Sequence, residues 1–410
     1  CLVTESSCTA ECTCDLGYGG ASCSLTDEEL SGRDSTRAKL CESIISVGDS
    51  ADVSAQLLDT LVSSLFVSYD PYEIVSVDAE QVCQQALSYV AELASQGYLT
   101  SGSPTAMMFD SLSKYIKAPT TDAARRRRRL RGEGTSSTNT SYIDDAVSQL
   151  SQGVLSELSY GEDPVTYTTD NLYISISKTL AKENVTLSVP AATDSDSSSS
   201  SGVEISSDAG GFLSNEDGYL EMSVAEWGTN PFSNSTNLGS GLLRIESFAN
   251  TSTSTAGRRR KLLLSNTEEE TEPLFYIVLQ FYKQQNFNLS INLDKALISR
   301  RGGSFENITY PICTMYDGTG YTTCEGCVLS TYTNFNVTFG CPVSLLLDSS
   351  TASNLQRHLR RNLQSSSNDD DDSISQATSS TVQFGTMFTE LKNVFIDTVS
   401  SNPFSVDLTK

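Results

Sequence analysis

The chain is poor in histidine and in basic residues. Its 410 residues include one His, His358, and 27 Lys and Arg against 51 Asp and Glu. A single His excludes a metal site built from several imidazoles, and any His-dependent acid/base catalysis would have to use that residue. The formal net charge of −24 repels phosphate backbones, so nucleic acid is not an expected partner.

Long apolar runs and catalytic motifs are also missing. No apolar run approaches the roughly 18 to 20 residues of a membrane-spanning helix, and the longest, residues 274–279, indicates a buried strand. The patterns of common hydrolases, zinc proteases, nucleotide-binding loops and EF-hands do not occur. We therefore predict that the chain is not an enzyme, has no cofactor and contains no transmembrane segment.

Cysteine, in contrast, is abundant and clustered. Five of the 11 cysteines fall in the first 23 residues, a density typical of segments in which disulfides replace a hydrophobic core. We expect an extracellular or cell-surface location reached through the secretory pathway. Because the chain opens at Cys1 and its cysteine count is odd, we also expect a fragment of a larger protein.

Helical spacing dominates from about residue 26 to residue 160. Apolar residues recur every three or four positions in three main stripes, which we interpret as a helical core of four or five helices. Cys41 and Cys83 lie on the apolar faces of two of these helices. A disulfide between them would stabilise the fold by roughly 4 kcal/mol in the chain-entropy model.

Alternating strand patterns replace the helical signal after Tyr160. They end in a cluster of four cysteines: Cys313, Cys324, Cys327 and Cys341. Cys324-Glu-Gly-Cys327 could form half of a zinc site, but the other two cysteines are irregularly placed and no His can complete it. Two disulfides that join neighbouring strands are the better explanation.

The first cysteines carry a resemblance. Cys12, Cys14 and Cys23 have the C-x-C-x8-C spacing, with Tyr18 and several glycines between, of the closing half of an EGF-like module. The resemblance implies that Cys14 pairs with Cys23 and Cys1 with Cys12, which leaves Cys8 without its partner. Calcium-binding EGF modules carry acidic residues ahead of their first cysteine, and that region is absent here, so calcium stays undecided.

The order of parts resembles a second family. An EGF-like module, a helical segment, strands around Trp227-Gly-Thr-Asn-Pro-Phe232 and the final cysteine cluster look like ectodomains of polycystin-like and adhesion-receptor proteins. The similar parts are the receptor-for-egg-jelly region and the GAIN domain with its GPS motif. The resemblance implies an α+β fold: an EGF-like stub, a helical subdomain and a disulfide-stapled β-sandwich.

Self-cleavage is not expected from this GPS-like motif. Self-cleaving members end in Cys-x-Cys-x-His-Leu-[Ser/Thr], in which the His assists attack by the hydroxyl. This chain instead reads Cys341-Pro-Val-Ser344-Leu, without the second cysteine or the His, and His358 lies in an Arg-rich, Ser-rich stretch.

Five segments are predicted. Residues 1–25 are the C-terminal part of an EGF-like module, residues 26–160 the helical subdomain and residues 161–347 the β-sandwich with its cysteine cluster. Residues 348–381 are predicted to be a disordered acidic and Ser-rich linker. Residues 382–410 are predicted to open a further helical unit, from the spacing of Phe388, Leu391, Phe395 and Val399.

Two kinds of modification are expected. N-glycosylation sequons occur at Asn139, Asn184, Asn234, Asn250, Asn288, Asn307 and Asn336. Basic runs in Ser/Thr-rich stretches offer cleavage sites for a dibasic-specific protease at Arg129, Arg131, Arg260, Lys261 and Arg361. Attraction to acidic glycans and tolerated solvated loops are the alternative explanations of the basic runs.

The function expected from these features is a non-catalytic extracellular adhesion, receptor or structural module within a larger protein. Its expected partners are an extracellular protein or glycan and the neighbouring modules of the same chain. The alternative is a secreted proprotein that is processed at the basic runs.

Overall fold

The computed structural model describes residues 14–50, 52–98, 102–116, 141–190, 200–215, 217–228, 231, 238, 240–249, 272–281, 309–316, 320–324, 326–347 and 378–390. These residues form seven α-helices and a larger number of antiparallel strands, so the fold is mixed helix and sheet, as predicted. The chain divides into two units. One comprises Cys1–Lys178 with Gly228–Ser233, and the other comprises Thr179–Trp227 with Asn234–Lys410.

The first unit is mainly helical. Its elements are β1 (Tyr18–Gly19), β2 (Leu25–Thr26), α1 (Asp27–Ser50), α2 (Ala55–Ser68), α3 (Val77–Leu93), a π-helical turn (Ala94–Tyr98), α4 (Ser103–Ile116), α5 (Ser141–Glu157), β3 (Val165–Thr168) and most of β4 (Leu172–Leu180). Ser54 and Ser76 cap α2 and α3, since their hydroxyls accept the N–H groups of Leu57 and Ala79 at 3.2 Å. Such caps fix where a helix begins.

Apolar stripes on these helices face a common core. Buried members include Leu58 and Leu65 of α2, Leu87 of α3, Phe109 of α4 and Leu150 of α5. A buried carboxylate also ties α1 to the start of α3. The Oδ1 atom of Asp34 accepts the N–H of Val75 at 2.7 Å, and its Oδ2 atom accepts the hydroxyl of Ser76 at 2.6 Å.

The second unit is mainly sheet. Its elements are β5 (Val185–Ser188), β6 (Gly202–Ile205), α6 (Ser207–Leu213), β7 (Tyr219–Trp227), β8 (Leu242–Ala249), β9 (Leu274–Gln280), β10 (Thr309–Tyr316), β11 (Tyr321–Thr323), β12 (Val328–Tyr332), β13 (Asn336–Pro342), α7 (Ser344–Leu347) and β14 (Thr378–Glu390). Five strands lie side by side in the order β11-β10-β14-β8-β7, and five others in the order β12-β13-β9-β6-β5.

The two strand layers of this unit share one apolar core. In β9 the buried residues Phe275, Ile277 and Leu279 alternate with half-buried ones, so one face of the strand is apolar and enclosed. From the other layer Phe384 meets Phe275 edge to face, with ring centroids 6.2 Å apart. The apolar run at residues 274–279 is therefore a strand, as its composition predicts.

The last strand corrects two predicted boundaries. Residues 378–381, assigned to the linker, and residues 382–390, assigned to a further helical unit, together form β14. This strand lies between β10 and β8 and is hydrogen-bonded to both. Residues 382–386 are all buried, and their ladder pairing with strands on both sides makes this stretch a central strand and not a helix. The rest of both predicted segments lies outside the described residues.

None of the helices in the described part of the chain is both long and apolar enough to cross a lipid bilayer.

Candidate functional site

The four late cysteines gather at one place in the second unit. Cys313 lies within β10, which pairs with β11 so that Thr314 is opposite Thr323. Cys324 therefore follows β11 directly opposite Cys313, and its N–H donates to the Cys313 carbonyl at 3.1 Å. The two side chains form a disulfide across the ends of the hairpin.

The second disulfide begins one turn later. Gly326 has a φ of +83°, a backbone conformation that glycine adopts without steric cost, and it turns the chain into β12. Since Val328 of β12 pairs with Gly340 of β13, Cys327 comes beside Cys341, and the two form a disulfide. Both bonds join neighbouring strands, as predicted, and the strand register decides which cysteines pair.

The two disulfides are close neighbours. The Sγ atoms of Cys313, Cys324 and Cys327 all lie within 4.8 Å of one another. Zinc is bound by thiolates, and a sulfur in a disulfide carries no negative charge to offer it. The described geometry therefore agrees with the disulfide interpretation of this cluster and not with a zinc half-site.

The predicted likeness to a self-cleavage motif concerns the segment after Cys341. Ser344 opens the short helix α7, and its backbone N–H donates to Oε1 of Glu272 at 2.6 Å. The neighbouring Val343 is buried, and its N–H donates to the Pro273 carbonyl at 3.2 Å. The Glu272 carboxylate is thus engaged with the backbone of this segment. His358 lies outside the described residues.

The helical unit contains the predicted bond between Cys41 of α1 and Cys83 of α3, and both residues are fully buried. Two tyrosines lie near it: the hydroxyl of Tyr115 donates to the Cys83 carbonyl at 2.6 Å, and the Tyr69 ring stacks on Tyr115. Burial raises the pKa of Tyr115 well above its usual value. This disulfide is therefore part of the buried core of the helical unit.

The first hairpin contains the Cys14–Cys23 disulfide that the EGF-like resemblance implies. Gly17 and Gly20 both have a φ above +80°, which explains why the small loop contains several glycines. Cys1, Cys8 and Cys12 lie outside the described residues, so the implied Cys1–Cys12 bond stays a prediction.

Two of the seven sequons fall in the described part of the chain. Asn184 is exposed in the turn before β5, and its Oδ1 atom accepts the N–H of Ser207 at 2.9 Å. Asn336 opens β13 and is half-buried, with Oδ1 accepting the Thr333 hydroxyl at 2.7 Å. The other five, at Asn139, Asn234, Asn250, Asn288 and Asn307, lie outside the described residues, and so do the predicted processing sites Arg129, Arg131, Arg260, Lys261 and Arg361.

Buried charges in the sheet unit are a feature that the sequence analysis missed. Glu226 of β7 lies inside the unit, where burial raises the pKa of its carboxyl to about 7, opposed by a hydrogen bond from the Ser201 hydroxyl. Ser201 Oγ in turn accepts the N–H of Gln280 in β9 at 3.0 Å. These three residues form a polar connection between the two strand layers.

A buried ion pair lies on β8. Nη1 of Arg244 is 2.7 Å from Oε2 of Glu246, and both side chains have no exposed surface. Arg244 also donates from Nη2 to the Thr381 hydroxyl of β14 at 3.5 Å. One signal was available in the sequence: two opposite charges at i and i+2 on a strand lie on the same face.

The helical unit also has an open cleft of about 450 Å³. Its lining includes Val154, Val165 and Tyr167 together with the carboxylates of Glu157, Glu162 and Asp163. The Oε2 atom of Glu162 accepts the N–H of Ser159 at 2.8 Å and so helps to shape the loop. The cleft holds no nucleophile paired with a base among the described residues.

No protein-family model matches the chain, and no curated protein matches it.

Proposed function

We propose that the chain is a non-catalytic extracellular module, with an adhesion, receptor or structural role, in a larger cell-surface or secreted protein. It presents surface to an extracellular protein or glycan and transmits or bears force without turnover. Its architecture is proposed to be related to the receptor-for-egg-jelly and GAIN-GPS ectodomains, preceded by part of an EGF-like module.

One observation carries the proposal. All eight cysteines within the described residues are joined, in four disulfides. Disulfides persist in oxidising compartments and are rare in cytosolic proteins, where thiols are kept reduced. Three separate parts of the chain are held this way: the first hairpin, the helical core and the end of the sheet unit. This distribution supports a chain built for the extracellular environment.

The module is further proposed not to cleave itself. The segment Cys341-Pro-Val-Ser344 lacks the His that precedes the nucleophile in cleaving relatives. A hydroxyl without a base to remove its proton is a weak nucleophile.

The test is production of the full chain through the secretory pathway of a eukaryotic cell, with a signal peptide added. We expect efficient secretion, the four disulfides found by non-reducing peptide mapping, and glycan on the exposed Asn184. The matched control is the same chain made in the cytosol of the same cell, which we expect to contain free thiols and to aggregate.

Two results would each contradict a different part of the proposal. Native-source protein that carries free thiols at these eight positions would exclude the extracellular assignment. A new N-terminus at or near Ser344 in purified protein would exclude the uncleaved assignment. Chain breaks after Arg129, Arg260 or Arg361 would instead favour the alternative, a proprotein processed at its basic runs.

A further inference from the structure

A third sulfur lies beside the Cys313–Cys324 disulfide. The Sγ atom of Cys327 is within 4.8 Å of both sulfurs of that bond, although Cys327 is itself bonded to Cys341. Within the described residues this is the only group of three such sulfurs, since neither Cys41–Cys83 nor Cys14–Cys23 has a third sulfur this close. A disulfide that only stabilises the fold does not need a third sulfur nearby, but exchange between two disulfides does.

The four cysteines differ in their burial. Cys313, Cys324 and Cys341 are buried, whereas Cys327 is half-buried between the exposed residues Gly326 and Val328. A thiol from solution therefore meets Cys327 first. Reactivity in thiol–disulfide exchange depends on access as well as on thiolate character.

We propose that these four cysteines form a thiol–disulfide exchange site for low-molecular-weight or protein thiols, in which Cys327 is the point of entry and passes the reaction to Cys313–Cys324. The site belongs to the sheet unit and acts in addition to the scaffold role of the other two disulfides. It does not rest on the proposed adhesion function.

The chemistry has three steps. A thiolate from solution attacks Sγ of Cys327, the bond to Cys341 breaks, and Cys341 leaves as a thiolate. A second thiolate attacks the mixed disulfide and releases the Cys327 thiolate together with one oxidised thiol pair. The Cys327 thiolate then attacks Sγ of Cys324, and Cys313 leaves as a thiolate. In total two thiols are oxidised to one disulfide, and the protein exchanges two disulfides for one disulfide and two thiols.

The expected product is a Cys324–Cys327 disulfide. These residues have the Cys-x-x-Cys spacing of thiol–disulfide oxidoreductases, and the positive φ of Gly326 already turns the chain between them. A Cys313–Cys327 bond would close a longer loop and so would lack this advantage. Cys324 is therefore the sulfur that Cys327 takes over.

The first test needs no reductant. In a Cys341→Ser variant of the full chain, Cys327 is a free thiol beside an intact disulfide, so exchange is an isomerisation. We expect the Cys324–Cys327 and Cys313–Cys324 forms to coexist within about tenfold of each other, because both bonds join ordinary protein thiols. Digestion after Glu325 and Tyr321 separates the three cysteines for mass spectrometry, after free thiols have been blocked at low pH.

The matched control is a Cys83→Ser variant. It also creates one free thiol, at Cys41, but without a second disulfide nearby in the described residues. We expect its Cys41 to remain a single blocked thiol and its other disulfides to keep their partners. Rearranged bonds in this control would show that exchange is general scrambling, and that result would overturn the proposal.

The second test uses the unchanged chain, so it does not depend on the folding of a variant. The protein is treated under native conditions with a limiting concentration of glutathione or dithiothreitol, and intact Cys41–Cys83 serves as the internal marker that the protein stays folded. We expect Cys313 and Cys341 to be blocked together while Cys324 and Cys327 become linked. In a Cys327→Ser/Cys341→Ser variant, the opening of Cys313–Cys324 should be at least roughly tenfold slower, since the neighbouring thiol is gone.

Native linkages with only Cys327 and Cys341 blocked would overturn the proposal. An equal rate of opening of Cys313–Cys324 in the double variant would do the same.

Discussion

Arg244 and Glu246 form an ion pair on the same strand, two residues apart, with neither side chain exposed to solvent. Their strand, β8, lies between β7 and β14. Taking two charges out of water costs several kcal/mol, and the pair compensates for this only while both partners are present. The pair also reaches β14 through Thr381, so it links two neighbouring strands of the layer.

Removal of one partner should therefore destabilise the sheet unit strongly. We expect Glu246→Ala to lower the free energy of unfolding by about 3 to 5 kcal/mol, because the buried Arg244 guanidinium loses the carboxylate that lies 2.7 Å from it. A double replacement, Arg244→Met with Glu246→Leu, should lie much closer to the wild type. Urea unfolding monitored by circular dichroism measures both, and an equal loss in the double variant would contradict this explanation.

Glu226 should make stability depend on pH. Burial raises the pKa of its carboxyl to about 7 in the folded state, whereas an unfolded glutamate has its usual lower value. The folded chain therefore binds the proton more tightly, and the stability from this group is fully present below about pH 4 and lost as the pH rises through about 7. The loss should reach about 3 kcal/mol at most.

The matched variant is Glu226→Gln, which keeps the shape and the hydrogen bond to Ser201 without a proton to lose. We expect its stability to change less between pH 5 and pH 8 than that of the wild type, and to exceed it at pH 8. Urea midpoints measured across this range test the difference. Parallel pH profiles for the two proteins would show that Glu226 does not titrate there.

The Cys41–Cys83 bond should stabilise the helical unit. It closes a loop of 42 residues, for which the chain-entropy model gives about 4 kcal/mol. We expect Cys41→Ala to lower the melting temperature and the secreted yield. The Cys41→Ala/Cys83→Ala double variant separates loss of the bond from the effect of a lone buried thiol. An unchanged melting temperature in the single variant would exclude a stabilising role for the bond.

β14 should stay bound after the chain is cut upstream of it. The strand pairs with β8 on one side and with β10 on the other, and Val382 and Phe384 are buried in the core. A specific protease site inserted beside Arg361 should give two fragments on a denaturing gel that elute together in native size-exclusion chromatography. Phe384→Pro should release the C-terminal fragment, because a central strand does not tolerate proline. Spontaneous separation of the unmodified fragments would contradict this prediction.

The sequence predicted those parts of the fold that depend on the spacing of apolar residues and cysteines within one helix or strand. Cys41 and Cys83 lie on the apolar faces of helices, and the distance between them follows from ordinary helix packing. The run at residues 274–279 is a strand because its alternate residues face the core. In both cases the pattern that predicts the structure is visible within a short stretch of sequence, about two helical turns or a few strand positions.

Long-range pairing was not accessible in the same way. β14 follows a Ser-rich and Asp-rich stretch, and its partner β8 lies far upstream, so only the folded register reveals that Val382 is opposite Ile245. The pairing of the four late cysteines also depends on register. Glu226 was missed because both faces of β7 are covered, which removes the contrast between inward and outward residues.

The position of β14 has a consequence for biosynthesis. Ribosomes make the chain from its N-terminus, and β8 and β10 are complete long before residue 390 is added. Until then these two strands present unpaired edges where β14 will later lie, and such edges attract other extended chains. The layer is therefore completed late, when β14 pairs with β8 and β10. Pairing between residues far apart in sequence is a slow step in folding. A nascent chain of this kind is exposed to aggregation through those edges until the last strand arrives, and binding by a chaperone would protect it.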